Sequence, residues 1–150
     1  MVDHPARRVV TGLNAQGQSC VIFDGPVPRH GGSTATIWRS EAVPADNSGN
    51  ADASTEYSME HLHGGGSNFM LVTFPPGIGR YMHATDTLDY LVVLSGEVVL
   101  ELEAGEVRMG PGTCIVDRGV LHSWRNDGPG EAVMISVTLP AHPVGEGRAI

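Results

Sequence analysis

Residues 77–96, GIGRYMHATDTLDYLVVLSG, and residues 119–126, GVLHSWRN, decide how this chain is read. Within the first stretch, Leu88–Leu94 (LDYLVVL) is β-branched and aromatic, and it stops at Ser95-Gly96. Glu97–Glu103 (EVVLELE) follows at once, so Ser95-Gly96 is predicted to be the two-residue turn of a β-hairpin. Val98, Leu100 and Leu102 alternate with Glu97, Val99, Glu101 and Glu103. That period of two puts one strand face on a core and turns the other mostly to water.

The same pattern extends outward in both directions. Asn68–Phe74 (NFMLVTF) ends hard at Pro75-Pro76-Gly77, and further runs occupy Val107–Met109, Thr113–Asp117, Leu121–Arg125 and Ala132–Leu139. Upstream, Arg7–Thr11, Ser19–Asp24 and Thr34–Arg39 are rich in β-branched residues and bounded by Gly, Pro or Asn. Residues 44–58 are small and polar and read as a mobile loop or a lid, and residues 140–150 read as a frayed tail. Many short strands with almost no helix predict an all-β antiparallel sandwich or small barrel, one domain over residues 1–150.

Composition narrows the function. Charged residues are 17% of the chain and hydrophobic ones 41%, a globular balance. The net charge of −8 has the wrong sign for a phosphate backbone, so no nucleic-acid partner is expected. Every basic residue is Arg, which removes Schiff-base lysine chemistry and a P-loop lysine. No apolar run suits a membrane span, and the opening MVDHPARRVV lacks the apolar core of a signal peptide. Cys20 and Cys114 form no paired motif and are expected to be buried small hydrophobes, in keeping with a cytoplasmic location.

The two quoted stretches resemble the motifs of the cupin superfamily. The first cupin motif runs Gly, five residues, His-x-His, three or four residues, Glu, six residues, Gly; Gly77, His83, Asp89 and Gly96 match that spacing. The second motif ends in Gly, His and Asn, matched by Gly119, His122 and Asn126. The resemblance covers about residues 68–139 and implies a double-stranded β-helix, or jelly-roll barrel. It departs from the pattern at Thr85, where the second histidine belongs, at Asp89 in place of glutamate, and at Asp117 in place of proline.

By that resemblance, His83, Asp89 and His122 are the expected ligands of one divalent transition metal. Two imidazoles and a carboxylate suit iron, with zinc or manganese also compatible. Strand alternation adds Tyr81, Thr85, Leu91 and Trp124 to an inward-facing pocket for a small-molecule substrate. Tyr81, His61 and His63 are candidate proton-transfer groups, the two histidines alternating just before Gly64-Gly65-Gly66. An exposed loop over a glycine hinge is the competing reading of that segment. The triple glycine lacks a strand–loop–helix setting, so no nucleotide cofactor is expected. His4 and His142, beside prolines near the ends, are expected to face solvent, as are Arg80 and Arg118.

No acyl-enzyme nucleophile is visible. The family resemblance implies a metal-dependent lyase, isomerase, decarboxylase or dioxygenase on a small oxygenated molecule. A metal-free ligand-binding barrel and a metal-free acid/base enzyme stand as alternatives. The resemblance also implies a homodimer, with the Arg7–Thr11 strand crossing to the partner.

Overall fold

The computed structural model describes residues 6–149 and is almost entirely β. His4 lies outside the described residues. Each β-branched run becomes a strand: β1 (Arg7–Leu13), β2 (Ser19–Pro26), β3 (Thr34–Arg39), β4 (Thr55–Glu56), β5 (Asn68–Phe74), β6 (Thr87–Ser95), β7 (Val98–Leu102), β8 (Gly105–Met109), β9 (Cys114–Asp117), β10 (His122–Arg125) and β11 (Ala132–Pro140). A 3₁₀ helix, Met59–His63, lies between β4 and β5. No helix among the described residues is long and apolar enough to cross a membrane.

Two sheets face each other as a jelly-roll barrel. The larger has the order β4-β3-β5-β11-β6-β9 and the smaller β10-β7-β8, while β1 and β2 form a separate ribbon. The predicted hairpin at Ser95-Gly96 is not there. β6 pairs with β11 and β9, and β7 pairs with β10 and β8. Gly96 instead carries the chain from one sheet to the other. Its φ is +72°, and a Cβ there would stand 2.7 Å from the Cα of Ala132, so only glycine lets the strands pass this closely.

The larger core cluster fills the space between the sheets, with Val93, Val98, Ala132 and Met134 essentially without solvent contact. A second cluster of Val27, Ala35, Ile37 and Leu71 packs against Ala6, Val133 and Ile135. Buried Asn126 closes one end of the barrel. Its Nδ2 donates to the carbonyls of Phe74 and Gly130, and its Oδ1 accepts from Gly128 N–H.

Three expectations about the periphery are corrected. Cys114 is exposed and Cys20 half-buried, because Cys114 opens the edge strand β9 on its outward face. The tail is tied down: Ala149 and Ala84 exchange backbone hydrogen bonds, and Arg148 N–H donates to Asp86 Oδ1. Segment 44–58 is anchored by Arg8–Asp52, by Asn50 to the Leu13 carbonyl, and by β4.

Candidate functional site

His83 and His122 are brought together by the backbone itself. They form an isolated antiparallel bridge, each N–H donating to the other's carbonyl at 2.9 Å. Residues paired this way project their side chains to the same side of the ladder. Their ring centroids are 4.5 Å apart. Gly119, just before β10, makes this approach possible: at φ +73°, a Cβ would lie 2.4 Å from the Thr85 carbonyl oxygen.

Both rings are held in one orientation. His83 Nδ1 lies 2.9 Å from the Tyr81 carbonyl, and His122 Nδ1 lies 2.8 Å from the Val120 carbonyl. A carbonyl oxygen only accepts, so Nδ1 carries the hydrogen in each ring. In the neutral rings the lone pair therefore sits on Nε2, which no hydrogen bond among the described residues engages. Burial, foremost, holds His83 below the ordinary histidine range and favours that neutral form.

Two acids stand behind the histidines. Asp89 on β6 is directly opposite Asp117 on β9. Asp117 Oδ1 accepts from Gly119 and Val120 N–H and so builds the turn into His122. Its Oδ2 is 3.1 Å from His122 Nδ1, but that N–H is directed at Val120, leaving Oδ2 a charged neighbour without a hydrogen bond. Asp89 Oδ1 is likewise buried without a partner. Burial, mainly, and then the like charge of Asp117 push the Asp89 carboxyl up to about 6; Thr87 and His122 pull the other way.

His83, His122 and Asp89 line a cavity of about 200 Å³. Of the expected pocket residues, His83, Thr85, Asp89, Leu91, His122 and Trp124 are in its wall. Tyr81 is not. Residues 79–82 are not in a strand, so alternation does not apply there; Tyr81 is 54% exposed and stacks on the outside of the His83 ring. His61 and His63 are also absent from the wall. They lie in the 3₁₀ helix rather than a strand, and three residues per turn align Met59 with Leu62, which do line the cavity. Both ring nitrogens of His63 are buried without partners, and burial followed by Arg148 holds it below the ordinary histidine range. Gly66 packs rather than hinges: a Cβ there would overlap the Ser40 carbonyl oxygen at 1.6 Å.

Tyr57, which the sequence did not single out, joins the wall just ahead of that helix. Arg80 lies at the surface, paired with Glu101. Among the described residues, no three His, Cys, Asp or Glu side chains are grouped so that they could hold a metal ion. Two imidazole Nε2 atoms and an orphaned buried carboxylate do, however, share one cavity wall.

A cupin domain model matches residues 70–138. The cupin-domain-containing oxidoreductase virC of Hypocrea virens is 31% identical over 152 residues, covering 91% of this chain and 77% of that protein. The phomopsin biosynthesis cluster protein C' of Diaporthe leptostromiformis is 43% identical over 82 residues, covering 53% of this chain; this chain spans only 43% of its length. Among solved structures, a double-stranded β-helix protein from Klebsiella pneumoniae aligns with a TM-score of 0.46 and 23% identity, over 56% of this chain and 69% of its own. Matched by a cupin domain model over residues 70–138 and aligned across most of virC, the chain belongs to the cupin family.

Proposed function

We propose that this chain is a small-molecule enzyme of the cupin type whose reaction centre is the His83–His122 pair with Asp89. One observation carries the reading. Two imidazoles are fixed by backbone carbonyls so that both Nε2 lone pairs are left unengaged, beside a buried carboxylate with an unpartnered oxygen. Such an arrangement costs stability, and uncompensated buried polar groups of this kind concentrate at functional sites.

His83 and His122 would hold a divalent metal through Nε2, with Asp89 as the carboxylate ligand. Bound there, the metal would act as a Lewis acid on a substrate oxygen. The chain's own groups do the rest. Backbone hydrogen bonds orient the rings, Asp117 shapes the turn that presents His122, and the apolar wall excludes water. Relatives that carry the name oxidoreductase, virC among them, favour oxidation, which would require an external electron acceptor such as dioxygen as co-substrate, over elimination or isomerisation.

The test is metal analysis by plasma mass spectrometry on untagged protein purified without chelator, with His122→Ala alongside. About one iron, zinc or manganese per chain, lost in the variant, is the expected result. Wild type that holds no metal and takes none up on reconstitution overturns the metalloenzyme reading. Asp89 then remains as an acid/base group near neutrality, and turnover that survives chelation but is lost in Asp89→Asn marks that case.

A further inference from the structure

The wall of the cavity says what kind of molecule it takes, an inference that rests on the site just proposed. Its apolar part includes Trp124, Phe74 and three methionines, Met59, Met70 and Met134. Thioethers and aromatic faces pack well against a flat, polarisable ring. No Arg or Lys lines it. With no cationic side chain in the wall, the cavity's own side chains offer little to offset the cost of burying an anion. An apolar cavity of roughly 150 Å³ accommodates benzene. At about 200 Å³, this one matches a ring with one short substituent.

Tyr57 supplies the hydrogen bond such a molecule needs. Among the other wall hydroxyls, Thr85 is tied to Thr87 at 2.7 Å, Thr138 accepts from Asn68 Nδ2 at 3.0 Å with its own O–H still free, and Thr34 and Ser136 make no side-chain hydrogen bond to the described residues. The Tyr57 phenol has only the Met59 sulfur, 3.7 Å away, and a thioether is a weak acceptor. Burial, and then the nearby Tyr81 phenol, push Tyr57 above the ordinary tyrosine range, so it keeps its proton at neutral pH.

We infer that the cavity selects a small, neutral, largely apolar molecule bearing one oxygen, with Tyr57 as the residue that donates a hydrogen bond to that oxygen. In the metal-free chain, carboxylates and phosphate esters of the same size are excluded.

The experiment is a titration of the full chain, carrying ¹³C-methyl methionine, by nuclear magnetic resonance with EDTA present. Toluene, benzyl alcohol and benzoate are the probes. Met59, Met70 and Met134 report the cavity, and Met109, outside its wall, is the internal control. Benzyl alcohol and toluene are expected to shift the three wall resonances saturably, and benzoate at equal concentration is expected to leave them in place. Tyr57→Phe should weaken benzyl alcohol roughly five- to tenfold, the size of one neutral hydrogen bond, and leave toluene unchanged.

Benzoate binding as tightly as benzyl alcohol, or no shift with either neutral probe, overturns the ligand class. An equal loss for toluene and benzyl alcohol in Tyr57→Phe overturns the role of the phenol, since a structural defect affects both. None of these readouts needs a metal or turnover. Failure here with metal still bound in the analysis above removes only this inference; the reverse removes only the reaction centre.

Discussion

Asp89 holds its place at a cost to the fold. Its carboxyl, raised to about 6 by burial and by Asp117, is stable in the folded chain as the acid and strained as the carboxylate. The folded state thus binds the proton more tightly than the unfolded chain does. Stability of the metal-free protein should fall as pH rises from about 4 to about 6 and stay low above that, by on the order of 2 kcal/mol. Asp89→Asn should abolish this slope in urea unfolding, leaving the variant more stable than wild type at pH 8. A wild-type curve that rises across the same window would refute the assignment. At this scale much was legible beforehand. His83, Thr85, Asp89, Leu91, His122 and Trp124, singled out by motif spacing and alternation, all lie in the cavity wall. Asp117 and Tyr57 were not, because each acquires its role from a neighbour remote in the chain: Asp89 across the β6–β9 ladder, and the cavity that Met70 and Met134 share.

At the scale of elements, the segment before β5 shows where a period of two misleads. His61 and His63 alternate in sequence, yet the chain there winds three residues per turn and presents Met59 and Leu62 to the cavity. Ser58 caps that turn, its side chain accepting from Glu60 N–H. The glycines after it are unequal. A Cβ on Gly65 would meet the Glu41 carbonyl oxygen at 3.8 Å, an ordinary contact, whereas on Gly66 it would overlap Ser40. Gly66→Ala is therefore expected to destabilise by about 2 kcal/mol or more, and Gly65→Ala by well under about 1 kcal/mol. Thermal unfolding of the pair checks this, and equal shifts would mean that the segment is a free hinge after all.

Across the whole molecule, the long excursion from β3 to β5 is bound to the N-terminal ribbon by charge. Arg8, 9% exposed, donates to both oxygens of Asp52 at 2.7 Å. The guanidinium, with Ser54, holds the Asp52 carboxyl far below the usual carboxylate range. A depressed carboxyl contributes stability above its unfolded value, and that contribution is lost as pH falls through the folded one. Because Asp52 is partly open to solvent, the contribution is about 1 kcal/mol. Asp52→Asn should lower stability at pH 6 by about that amount while narrowing the gap to wild type at pH 2. A gap that is constant with pH would show that the pair acts through packing alone.

What the sequence determined by itself was the local alphabet of the fold and the chemistry it carries. β3 and β5 were placed residue for residue and most other strands to within one or two, because alternation and turn residues act over a few neighbours. Only the tertiary structure decided which strands pair. Ser95-Gly96 has hairpin chemistry in isolation, but β6 gains more by lying between β11 and β9, and the turn becomes a crossing between sheets. Strand partners, the outward face of Tyr81, the inward face of Tyr57 and the pairing of His83 with His122 all depend on contacts between residues far apart in sequence. Those contacts are set by how two sheets close over a common core, and no local pattern contains them.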